Sequence, residues 1–120
     1  MPALQNFLVS PLADAIRGAE QVWREYPFTL LVPASGIDPA AASDDRILLQ
    51  GIVDCCFVCE GEVTVVDFKT DRVFGAALEE RAEQYRPQLE AYSYALAQVL
   101  EKPVRRKILY FLRAGKAVSL

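Results

Sequence analysis

The chain has 120 residues, 52% hydrophobic and 24% charged, with 13 Lys and Arg against 16 Asp and Glu for a net charge of −3. This length suits one domain with one core, and the acidic balance argues against coating nucleic acid by overall charge while leaving a local binding site open. The absence of His removes Ser/His/Asp and Cys/His catalytic arrangements and every His-containing zinc site, so any chemistry must run on carboxylates, Lys, Tyr or Cys.

In chain order, Met1 to Phe7 lacks the basic start and continuous apolar stretch of a signal peptide, and a cytoplasmic location is the expectation. Ser10-Pro11 followed by Leu12, Ala13, Ile16, Ala19, Val22 and Trp23 predicts an amphipathic helix from 11 to about 25, ended by Tyr26-Pro27. Phe28 to Val32 reads as a strand closed by Pro33, and residues 33–45 combine turn formers with little periodicity and read as a flexible loop. Two β-rich runs follow, Arg46 to Cys59 and Glu62 to Thr70, separated by Glu60-Gly61, a two-residue hairpin signal. With Cys59 facing Glu62, that turn places Asp54 across from Asp67 and Ile52 across from Lys69. Residues 76–102 are rich in helix formers but divided by Pro87, so the helix is expected from Arg86 or Pro87 to Glu101, with Leu89, Tyr92, Leu96, Val99 and Leu100 on its buried face. Pro103 stops it, Lys107 to Leu112 reads as a strand, and Ala114-Gly115-Lys116 turns the chain. This order indicates an α/β (α+β) fold, a mixed central sheet flanked by helices. The apolar runs are far too short to cross a bilayer, so no membrane partner is expected.

Cys55, Cys56 and Cys59 fall within five positions. Zinc and iron–sulfur sites normally need four ligands, and neither a fourth Cys nor any His is present, so no iron–sulfur cluster is expected and the cysteines read as small buried hydrophobes. Asp54 and Asp67 are different. Asp is depleted from strand interiors and costly to bury unpaired, and here two stand opposite each other among Val53, Val65, Val66 and Phe68. Opposed side chains are close enough to share a divalent cation, and Lys69, two residues after Asp67, projects from the same face. An ammonium there suits orienting a metal-bound water and stabilising charge on a phosphate. A partly buried ion-pair cluster is the plainer alternative, and the spacing alone leaves both open.

Gly51-Ile-Val-Asp54, Val65-Val-Asp67-Phe-Lys69-Thr-Asp71 and Gln88-Leu-Glu-Ala-Tyr92 together resemble the PD-(D/E)xK nuclease superfamily, specifically the C-terminal RecB-like nuclease domain of AddA-type helicase-nucleases. The resemblance covers roughly Arg24 to Leu112. It implies a restriction-endonuclease-like core and Mg2+-dependent phosphodiester hydrolysis, with Mn2+ able to substitute. It also implies Asp54 and Asp67 as metal ligands and catalytic residues, the Phe68 backbone carbonyl as a third ligand and Lys69 as the catalytic lysine. Glu25 resembles an upstream acidic position that joins the metal site. Gln88 and Tyr92, at i and i+4 on one helical face, would support the site and contact DNA, and Arg72 and Arg86 are candidate phosphate contacts.

Residues 1–120 then form a single RecB-like nuclease domain, with 1–25 an N-terminal helical segment and 26–120 the nuclease core, as a fragment of a larger helicase-nuclease. The implied function is a DNA exonuclease in double-strand-break repair and recombination. Its expected partners are single-stranded DNA ends, a second helicase-nuclease subunit and helicase motor domains. The alternative is a non-catalytic nuclease-fold module that binds DNA or a partner protein. Three features depart from the pattern: Val53 stands where the superfamily name has Pro, the metal-site His of an earlier helix is missing, and no Walker motif is present.

Overall fold

The computed structural model describes residues 7–33 and 46–120. Ser10 caps helix α1 (Pro11–Arg17), its hydroxyl accepting the Ala13 N–H at 3.2 Å with Pro11 at the first helical position. Leu12, Ala13 and Ile16 are its buried face.

The helix expected to run to about residue 25 stops at Arg17, and the chain enters strand β1 (Gln21–Pro33) instead. The N-terminal segment 1–25 is therefore not helical as a whole. Val22, Trp23, Tyr26 and Phe28 are strand formers, and β1 pairs antiparallel with β2 (Arg46–Cys59), which gives the backbone groups on its β2 side their partners. Pro27 lies inside β1, opposite Ile52. β1 is an edge strand, the place in a sheet where a proline is tolerated. The loop expected over 33–45 lies, beyond Pro33, outside the described residues.

β2 turns into β3 (Glu62–Lys69) through Glu60 and Gly61, whose φ values of 53° and 76° are those of a tight two-residue hairpin turn. Register runs from Cys59↔Glu62 to Cys55↔Val66. Helix α2 (Ala76–Leu100) then crosses to β4 (Val104–Phe111), which lies parallel to β3, and β5 (Lys116–Ser119) adds antiparallel at the far edge. The five-stranded mixed sheet runs β1-β2-β3-β4-β5.

Two expectations for α2 are corrected. It is one helix continuing through Pro87, with Leu78 and Ala82 buried before the proline and Leu89, Ala95 and Leu96 after it. A proline in a helix interior costs about 3 kcal/mol, and apolar burial on both sides outweighs it. Val99, expected on the buried face, is 39% exposed.

The helices cover opposite faces of the sheet. α2 packs Leu89, Ala95 and Leu96 onto Phe28, Val53, Cys56, Val63, Val65, Leu109 and Phe111, while α1 packs Leu12 and Ile16 onto Cys55, Phe57, Val66, Ile108 and Tyr110. Cys55 and Cys56 consequently lie in different layers, both buried and unbridged, with Cys59 against the α1 layer. Burial raises the Cys55 thiol pKa and pushes that of Cys56 up to about 12, the state of small apolar core residues. Among the described residues, no helix is long and apolar enough to cross a membrane.

Strand alternation breaks at one place. Val53 and Cys56, three residues apart, belong to the same α2-side layer, and so do Trp23 and Tyr26 on the neighbouring strand. The switch falls at Glu25 and Asp54, which the β1–β2 register puts opposite each other, and Glu25 takes a left-handed φ of 49°. Asp54 thus stands where β2 exchanges faces.

Candidate active site

The ladder between β2 and β3 ends at Cys55↔Val66, and the predicted Asp54–Asp67 and Ile52–Lys69 pairs lie beyond its last rung. Just past this point the Phe68 N–H donates to Asp54 Oδ2 at 2.9 Å, which brings the Asp54 carboxyl close enough to Asp67 to act on its proton. Asp67 is 7% exposed on central strand β3. Burial and then the Asp54 carboxyl push its pKa up to about 6, against the opposing pull of Lys69.

Lys69 Nζ lies 2.7 Å from Asp67 Oδ2, an ion-pair distance, yet the oxygen is buried and accepts no aligned hydrogen bond. Lys69 Nζ also donates to Gln88 Oε1 at 3.2 Å and stands 4.0 Å from the centre of the Tyr85 ring. Alternate residues of β3 bring Val63, Val65, Asp67 and Lys69 to the α2 side of the sheet, which is why a helix side chain reaches the lysine.

Two hard carboxylate groups close to each other, that of Asp67 buried, are a donor set whose chemistry fits a divalent cation such as Mg2+. The structure does not gather a third acidic ligand: among the described residues, no three of His, Cys, Asp and Glu cluster as a metal site. Glu25 stands across from Asp54 in register, but its side chain is exposed. A groove of about 260 Å3 opens beside Asp54, with Arg24, Phe7, Ile16 and Phe68 among its walls.

Gln88 and Tyr92 share a helical face, the Gln88 amide reaching the Tyr92 hydroxyl at 3.4 Å. Tyr92 packs edge-on against Phe28 and lies over Gly51, where a Cβ would come within 2.9 Å of its hydroxyl and 3.1 Å of two ring carbons. Gly51, the first residue of the Gly-Ile-Val-Asp motif, therefore makes room for Tyr92. Arg72 is exposed. Arg86 is already paired within α2, at 2.7 Å from Glu83 and 3.8 Å from Glu90.

A second layer of contacts escaped the sequence reading. Tyr85 Oη donates to Asp71 Oδ2 at 2.8 Å, and Arg81 Nη1 donates to the same oxygen at 2.6 Å. Burial works to raise the Asp71 pKa, but these two donors outweigh it and hold the carboxyl below its ordinary value. The available signal was the spacing Arg81, Tyr85, Gln88, Tyr92, one stripe of a helix at intervals of four, three and four. Dividing the helix at Pro87 concealed it.

A mixed five-stranded sheet between helices, with Asp67 and Lys69 at the carboxyl end of its central strand and Asp54 on the neighbouring β2, is an α+β domain of restriction-endonuclease-like architecture. The chain belongs to the PD-(D/E)XK nuclease superfamily, whose family model matches residues 4–119. It is 38% identical over 109 residues to an ATP-dependent helicase/nuclease subunit of Pediococcus pentosaceus, covering 88% of this chain and 9% of that protein. The same-named protein of Carboxydothermus hydrogenoformans is 37% identical over 118 residues, covering 98% of this chain and 10% of the relative. One from Bacillus cereus is 34% identical over 124 residues, covering 96% and 10%. The chain thus spans about a tenth of the length of these relatives.

Proposed function

We propose that this chain is a Mg2+-dependent deoxyribonuclease domain, acting as an exonuclease on DNA ends in double-strand-break repair and recombination. The observation that carries the reading is the juxtaposition of Asp54, Asp67 and Lys69: Asp54 bound to the Phe68 N–H next to Asp67, and an ammonium 2.7 Å from Asp67. Asp54 and Asp67 would hold the metal together with the Phe68 carbonyl, and Glu25 is the candidate to join them from β1. When bound, the ion supplies Lewis-acid activation of the scissile phosphate and of the attacking water. Lys69 faces the phosphate and stabilises the negative charge that develops there, Gln88 holds the lysine, and Tyr92 braces Gln88. Arg72, exposed and unpaired among the described residues, can meet a phosphate, whereas Arg86 must first leave Glu83.

The names of the relatives support a helicase-nuclease context, in which the domain's partners are a second subunit and the motor domains and its place is where the cell's DNA is, the cytoplasm of a bacterium. Single-stranded DNA is incubated with Mg2+ or Mn2+ and, in parallel, with EDTA, for wild type and for Asp67→Ala and Lys69→Ala. Cleavage by the wild type that needs the metal and disappears in both variants is the expected result. Binding of DNA without cleavage under any of these conditions would replace this reading with that of a non-catalytic nuclease-fold module.

A further inference from the structure

We propose that Tyr85 is a positioning residue for Lys69, its ring held under the ammonium by Asp71 and Arg81; this rests on the reading of Lys69 as the cation of the active site. A lysine side chain is a flexible four-carbon stem, and its charge is useful only where the reacting phosphate will be. Three contacts restrict it here: Asp67 Oδ2 at 2.7 Å, Gln88 Oε1 at 3.2 Å and the Tyr85 ring centre at 4.0 Å. The ring attracts the cation through its quadrupole without offering a lone pair that would take the ammonium's protons. It therefore fixes the position of the charge while leaving N–H groups for a phosphate oxygen.

The ring is itself fixed. Its hydroxyl donates to Asp71 Oδ2 at 2.8 Å, and Arg81, one helical turn before Tyr85, donates to that oxygen at 2.6 Å. Asp71 lies two residues beyond Lys69, so the Arg81–Asp71–Tyr85 contacts tie the exit of β3 to α2 next to the ring that carries the ammonium. This accounts for a carboxylate that neither Asp54 nor Asp67 touches among the described hydrogen bonds.

The test uses the full 120-residue chain and has two readouts. The first is the NMR shift of the Lys69 Hε protons, assigned by their disappearance in Lys69→Arg. Placed over the ring, they are expected upfield of those of Lys102, Lys107 and Lys116 in the wild type, and to return to the common position in Tyr85→Leu. The second is steady-state cleavage of single-stranded DNA with Mn2+. Tyr85→Leu is expected to lower kcat about tenfold with KM little changed, and Tyr85→Phe, which keeps the ring but loses the Asp71 tether, to lower it by less. Wild-type Lys69 protons at the common position would overturn the proposal without recourse to any variant. So would an unchanged kcat in Tyr85→Leu, or a loss confined to KM, which would make Tyr85 a DNA contact. A wild type that cleaves nothing would end the nuclease reading alone, and the proton shift would still decide the placement of Lys69.

Discussion

Gly51→Ala adds one methyl group at the point where β2 meets Tyr92. The new Cβ would stand 2.9 Å from the Tyr92 hydroxyl and 3.1 Å from two ring carbons, closer than van der Waals contact permits. The ring cannot simply slide away, because its edge is set against Phe28 with centroids 5.2 Å apart. Overpacking of this kind costs about 1–3 kcal/mol, while replacing Gly by Ala in a strand returns about 0.5–1 kcal/mol. The net expectation is a loss of about 1–2 kcal/mol, a fall in Tm of several degrees for a domain of this size. Urea denaturation of the wild type, Gly51→Ala, Tyr92→Ala and the double variant measures the coupling directly. Gly51→Ala should cost nothing, or stabilise, once the ring is gone. An equal penalty in both backgrounds would show that the glycine serves the backbone and not the ring, and would refute this account of the motif.

Asp67→Ala should weaken Mg2+ or Mn2+ binding measured by calorimetry, whereas Lys69→Ala, which removes a cation from beside the site, should leave it equal or tighter; the reverse order would reject the assigned roles. Because burial and Asp54 raise the Asp67 pKa to about 6 in the folded chain, the folded state holds that proton more tightly than the unfolded state. In EDTA the chain should therefore gain stability as pH falls from about 7.5 towards 5, and a flat or falling Tm across that window would contradict the burial of the pair. Asp67→Asn should remove this dependence. Cys55 and Cys56, with their raised thiol pKa values, should resist iodoacetamide at about pH 8 until denaturant is added. Replacing all three cysteines by Ala should lower stability by about 1 kcal/mol or more per buried site with metal-dependent cleavage retained; a stoichiometric metal lost with the cysteines would show the cluster to be a ligand set.

The hairpin and the side on which Lys69 emerges were legible without a structure because their determinants are local. A two-residue turn at Glu60-Gly61 sets the register from Cys59↔Glu62 to Cys55↔Val66 and a period of two carries Lys69 to the face of Asp67, but the ladder ends one rung short of the acids, so their predicted cross-strand pairing is not part of it. Gln88 and Tyr92 are legible for the same reason, four residues apart on one helix. What the chain does between Gly18 and Pro27 was not. Its apolar spacing suits a helix, but pairing with β2, whose residues lie some 20 to 40 positions away, gives that backbone its hydrogen bonds, and no local propensity contains such a partner. The continuity of α2 through Pro87 likewise depends on Leu109, Phe111 and the β3 core, which receive both halves of the helix. With the helix whole, Arg81 and Tyr85 fall in line with Gln88, and Asp71 acquires its partners. The face switch at Glu25 and Asp54 belongs to the pair of strands and not to either one, so only the folded sheet decides where those two acids stand.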